Sequence, residues 1–319
     1  MTRPFLRFFP CGALLAAIAC MTSPVLGQLA GRAGAPPRPV DQTLVTRDGV
    51  DLRISYFPSD AGQDATPVVL LHDFGESRAV MRGLALALQT PGPAGAGEIP
   101  RRAVVTVDLR GHGDSRSAAG VDGPVQLDHA RLRQGDFEDM VRFDMEAVRS
   151  FLVDKNDARE LNLNKLALVG SGMGANVAAL WAANDWDAPP LAVRKQGQDV
   201  KALALISPAW NFRGLALNDA LRQPDVRQRL ALLIAFGEES RDAARDAGNV
   251  IRNVEKFHPE PPPDQAKEKK DLFVYELPAA LQGTELLSKA SFALPPKIDE
   301  FLWRRVDTKS FPWIGRKVK

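Results

Sequence analysis

Hydrolysis at a carbonyl needs a nucleophile, a proton shuttle and donors for the developing oxyanion. Three short segments of this sequence carry residues of those types. Gly170-Ser171-Gly172-Met173-Gly174 follows the apolar run Leu166-Ala167-Leu168-Val169. His72-Asp73-Phe74-Gly75 follows Val68-Val69-Leu70-Leu71, and Asp108-Leu109-Arg110-Gly111-His112-Gly113-Asp114-Ser115 follows Ala103-Val104-Val105-Thr106-Val107. Metal chemistry has less to work with, because the four histidines (His72, His112, His129 and His258) lack ligand spacing. Both cysteines, Cys11 and Cys20, fall in the first 27 residues, so the chain beyond them has no disulfide, thiol nucleophile or thiolate ligand. No cofactor is expected either: the glycines around Ser171 lack the full dinucleotide pattern and a downstream ribose-binding acid.

Short apolar runs must position these loops. Besides the three above, Ala202–Ile206, Leu230–Phe236 and Leu272–Leu277 read as strands apolar on both faces. Helical patterns fill the gaps at 77–88, 137–153, Met173–Ala183 and 241–254. A last helix at about 284–305 must tolerate or break around Pro295-Pro296. Alternating strands and helices predict an α/β fold, a doubly wound and mostly parallel sheet in a three-layer α/β/α domain over 45–305. A small insertion is expected near 208–230. Asp108, Arg110 and His112 suit turn stabilisation, and Asp144 with Glu146 suits a solvated helix face.

The order and spacing of these segments resemble the α/β-hydrolase superfamily. The resemblance implies that the loop at 72–75 supplies one oxyanion donor and that Gly170–Gly174 is the nucleophile elbow. It also implies three departures. Gly172 stands where the nucleophile belongs, Ser240 replaces the acid in Phe236-Gly237-Glu238-Glu239-Ser240, and Gln282 replaces the base after the last strand. Glycine has no attacking atom, serine cannot balance an imidazolium, and an amide cannot shuttle protons near neutral pH. Ser171 is the candidate for a displaced nucleophile. The backbone donors of Asp73, Phe74 and Met173 remain candidates for holding a ligand, whether a small molecule, a peptide or a glycan.

Charge and targeting set the surroundings. The chain has 319 residues, 45% of them apolar and 25% charged, as in a soluble globular protein. Residues 1–27 hold Arg3, Arg7 and no acid, ahead of an apolar stretch and Val25-Leu26-Gly27, and read as a secretory signal. An uncleaved anchor or lipidation at Cys20 is the alternative. The remainder balances 39 basic against 39 acidic residues, which gives no electrostatic case for nucleic acid. Residues 28–44 read as a flexible leader, and 306–319 as a basic aromatic tail able to touch an anionic envelope surface. The expected product is an exported periplasmic or extracellular protein, a non-catalytic binding or scaffold component. The alternative is a hydrolase of esters or peptides using a displaced nucleophile.

Overall fold

The computed structural model describes residues 35–91, 99–191 and 194–317. The expected signal at 1–27, residues 28–34 of the leader, and Val318 and Lys319 of the tail lie outside the described residues. In chain order the strands are β1 (Val40–Val45), β2 (Asp51–Phe57), β3 (Pro67–Leu71) and β4 (Ala103–Val107), then the two-residue β5 (Ser117–Ala118) and β6 (Val125–Gln126). They continue with β7 (Leu166–Ser171), β8 (Val200–Ile206), the two-residue β9 (Asn211–Phe212) and β10 (Leu215–Ala216), β11 (Ala231–Gly237) and β12 (Leu272–Leu277). The helices are α1 (Arg82–Gln89), α2 (Gln134–Asp139), α3 (Met145–Asp157), α4 (Met173–Asp187) and α5 (Leu217–Arg222). After them come α6 (Pro224–Gln228), α7 (Arg241–Val254), α8 (Ala266–Lys269), α9 (Glu285–Ser288) and α10 (Leu294–Leu302).

Eight strands form one sheet in the order β1-β2-β4-β3-β7-β8-β11-β12. Neighbours from β4 to β12 are parallel, while β2 runs antiparallel to both β1 and β4. Every residue of β3, β4, β7 and β11 is buried, because helices cover both faces. One face packs Ile54, Val105, Leu168 and Leu203 with Phe137, Val148 and Trp181. The other packs Val68, Leu70, Val169 and Leu233 with Leu84, Leu88, Ile298 and Phe301. The expected doubly wound, mostly parallel α/β architecture is therefore present.

Local differences from the sequence reading have local causes. Residues 40–44, assigned above to the leader, stand in β1, which pairs with β2 from Val40↔Tyr56 to Val45↔Asp51. Backbone pairing at a solvated sheet edge does not need an apolar run. The last helix does break: Pro295 and Pro296 fall in the first turn of α10, where a missing N–H costs little. Between α2 and α3 a π turn, Met140–Asp144, carries Asp144 inward. There it accepts from Arg110 N, Nε and Nη2 at 2.9, 2.9 and 2.7 Å, while Glu146 accepts from Trp181 Nε1 at 2.9 Å. Asp144 is thus buried and not on a solvated face, whereas Glu146 is exposed, as expected.

The insertion folds as the β9–β10 hairpin with α5 and α6, held to α4 where Asn176 Nδ2 donates to Ala209 O and Leu215 O at 2.8 and 2.7 Å. The tail is strapped to the body rather than solvated. The amides of Asn162, Asn164 and Asn156 donate to the carbonyls of Phe311, Pro312 and Ile314 at 2.8, 3.0 and 3.0 Å. Buried Arg316 meets Asp199 at 2.8 Å. Among the described residues no helix is long and apolar enough to cross a membrane.

Candidate functional site

The turn between β7 and α4 is built on close approach. A Cβ at Gly170 would lie 2.3 Å from Gly174 O, and one at Gly174 would lie 2.5 Å from His72 O and 2.6 Å from Leu71 O. Only glycine lets the helix start this near β3. Gly172 itself has φ 50° and ψ −116°, in the left-handed region where a side chain is strained.

Asp73 fills the space in front of that turn. Its Oδ1 accepts from Phe74 N at 2.7 Å and from Met173 N at 2.8 Å. A Cβ at Gly172 would sit 2.0 Å from its Cγ, so the carboxylate occupies the volume that a side chain at 172 would need. Burial holds the Asp73 carboxyl above the usual carboxylate range, against the pull of the Met173 and Phe74 N–H groups. Asp73 N donates to Glu76 Oε2 at 2.9 Å, and the other Glu76 oxygen accepts from Thr284 Oγ1. Asp73, Phe74 and Met173 thus lie together, with the Phe74 and Met173 donors engaged by the Asp73 side chain and Asp73 N by Glu76.

Gln282 reaches the same edge. Its Oε1 accepts from Ser207 Oγ at 2.7 Å, its Nε2 donates to Gly237 O at 2.9 Å, and Gly283 N donates to Ser207 Oγ at 2.8 Å. Ser207, at φ 47° after β8, was missed in the sequence reading; the polar Ser207-Pro208 pair at a strand end is the feature that marks it. Ser240 stands apart as the N-cap of α7, accepting from Ala243 N at 3.5 Å. Ser171 Oγ is fully buried with no hydrogen-bond partner among the described residues. It points toward Gly283, where an added Cβ would be 3.2 Å from it and 3.0 Å from Asp73 Oδ2.

The nearby histidines are committed to loops. His72 Nδ1 donates to Asp73 O at 2.6 Å and its Nε2 accepts from Leu109 N at 3.2 Å. Burial holds this imidazole below the usual histidine range, which matches that neutral arrangement. His112 Nδ1 lies 2.9 Å from Arg110 O, and burial, aided by His72, pushes its pKa down to about 4. Asp108 accepts from Asp114 N at 2.9 Å and pairs with Arg78, so it stabilises its turn. Beside the elbow, the exposed Arg213 guanidinium lies 4.3 Å over the Phe74 ring, which also packs against Phe212. Among the described residues no three histidines, cysteines or acids are grouped to hold a metal ion.

Solved structures share this arrangement of strands and helices. An esterase of Pyrococcus furiosus aligns with 84% of this chain and 91% of its own at 15% identity and a TM-score of 0.55. A protein of unknown function from Agrobacterium tumefaciens aligns over 88% of this chain and 100% of its own, at 16% identity and a TM-score of 0.52. A fungal esterase of Rhizomucor miehei covers 86% of this chain and 84% of its own, at 14% identity and a TM-score of 0.52. At such identities the likeness is one of fold. No curated protein matches the chain in sequence. The profile of the alpha/beta hydrolase family matches residues 68–312, well over half of the sequence, and the chain belongs to that family.

Proposed function

We propose that the protein is a non-catalytic member of the family, an exported binding or scaffold component whose elbow is closed by its own chain. One observation carries the reading: the Asp73 carboxylate takes both the Phe74 and Met173 donors and the volume above Gly172. A substrate carbonyl entering that space would find the Phe74 and Met173 donors already taken and no attacking atom at position 172. A ligand is instead received on the outer face, where Arg213 and the rings of Phe74 and Phe212 offer a cation and flat apolar surface. Residues 1–27 support export through their signal-like composition.

The competing reading is a hydrolase of esters or peptides that uses Ser171. It is favoured by a hydroxyl left unpartnered beside the elbow, yet among the described residues no base hydrogen-bonds that oxygen. Intact mass after exposure to a broad fluorophosphonate probe separates the two. The expected result is no adduct while an active serine hydrolase labels in parallel. A stoichiometric adduct mapped to Ser171 would sink the non-catalytic reading.

A further inference from the structure

At the opposite edge of the sheet, where β8, β11 and β12 begin, a cavity of about 340 Å³ opens between α4 and the strapped tail. Its cations are Lys201, Arg229, Arg305 and Lys309, and its one acid is Asp271. Among the described residues, three of the cations hold neutral acceptors only. Lys201 Nζ donates to Gln198 O at 2.5 Å, and Lys309 Nζ to Glu268 O at 3.2 Å. Arg305, 7% exposed, donates to Glu268 O and Lys267 O at 2.8 and 2.6 Å, and its buried Nε has no acceptor among the described residues. Asp271 lies 3.0 Å from His258 Nδ1, and Arg229 pairs with Asp225 at 2.9 Å.

Carbonyls satisfy hydrogen bonds without neutralising charge, so the cavity keeps a positive surplus in a partly desolvated wall. The remaining walls are apolar, Leu230 and Ala231 with two flat rings: Lys201 Nζ is 5.3 Å from the Trp186 ring centroid and 5.4 Å from that of Phe311. We propose that this cavity binds a small organic anion with an aromatic body, its carboxylate meeting Lys201 and Arg305 and its ring resting on Trp186 and Phe311. The state of Lys201 agrees with a missing counter-charge. Burial, then the charge of Lys195, pushes its pKa down to about 8, with Arg316 acting the same way and Asp199 and Asp185 opposing. A bound carboxylate favours the ammonium and draws a proton in.

The test is calorimetric titration of the full chain with 2-naphthoate at about pH 8, in Tris and in triethanolamine. The difference between buffers should report uptake of about half a proton per anion, and close to none near pH 6.5. Uncharged 2-naphthamide, which has the ring alone, and acetate, which has the charge alone, should each bind at least about tenfold more weakly. Lys201→Met keeps the apolar stem and should lower naphthoate affinity at least about tenfold. Lys309→Gln, at a half-buried position whose Nζ holds one carbonyl, should lower it about twofold to fivefold and covers the case in which the first variant fails to fold. The proposal is overturned by absence of naphthoate binding up to about 10 mM. Equal affinity for naphthamide, or unchanged affinity in both variants, would overturn it as well.

Discussion

The two edges of the sheet meet the same requirement, partners for buried donors, in opposite ways. At the carboxyl edge the donors are backbone N–H groups of Phe74 and Met173, fixed in place by the turns that carry them. They cannot turn away, so the chain supplies an acceptor, and that acceptor is a carboxylate. At the amino edge the donors stand on long side chains that bend to whichever carbonyl is near, as Arg305 does to Glu268 O and Lys267 O. Hydrogen bonding is then largely met while charge is not. The acids around it are engaged elsewhere: Asp271 lies 3.0 Å from His258 Nδ1, and Asp199 meets Arg316 at 2.8 Å and Lys195 at 2.6 Å. A filled site and an unfilled one thus arise from how rigidly the donors are mounted.

Gly172→Ser attacks the filled edge most directly. Its Cβ would displace the Asp73 carboxylate and stand at a left-handed φ, and the expected loss is about 2–4 kcal/mol in urea denaturation. Adding Asp73→Gly should recover at least half of it. A serine variant as stable as the parent would mean that the carboxylate does not hold that volume. The single change Asp73→Gly leaves two donors bare and should cost about 1–3 kcal/mol. Acetate at about 0.1 M should restore part of the melting temperature by occupying the vacated place, where chloride should not. Equal effects of the two salts would contradict an anion seat at this edge.

The smallest effect belongs to the amino edge and appears as a pH slope. Burial, then the charge of Asp199, pushes the Asp185 pKa up to about 6. The folded chain therefore holds this proton more tightly than the unfolded one. The stabilisation is complete below the unfolded value near 4 and is lost as pH rises through about 6. Asp185→Asn keeps an accepting oxygen for Asp199 N and Val200 N and removes the titration. Parent and variant should match near pH 4, with the variant ahead at pH 7 by on the order of 1–2 kcal/mol. Parallel pH curves would place the titration elsewhere.

Much of the architecture was legible because a parallel sheet buried on both faces writes itself as apolar runs. β3, β4, β7, β8 and β11 appear where Val, Leu, Ala and Ile cluster, while β12, expected to be apolar on both faces, is an edge strand with only Phe273 and Leu277 buried. β1 and β2 escaped, since Val40–Val45 carries three consecutive polar residues (Asp41, Gln42, Thr43) and is held by backbone pairing, while Asp51–Tyr56 alternates polar and apolar residues and gives no apolar run. At the site, Gly172, Ser171 and Gln282 could be placed from local order alone. The Asp73 contact could not, because it joins side chain and backbone 100 residues apart in the sequence. Asp144 shows a further limit: a helix wheel of regular period puts it outside, and one π turn carries it in.

The strap of residues 311–316 has a consequence for the order of events during folding. Three asparagine amides at 156–164 wait for carbonyls that follow them by 158, 149 and 148 positions. Because those acceptors are main-chain atoms, the fastening reads the path of the chain and not the identity of most side chains along it. The bend at 156–164 therefore closes only after the ribosome has added about 150 further residues, which is late by the measure of contact order. Until those residues are made, the three asparagine amides lack their acceptors and the bend stays unlatched.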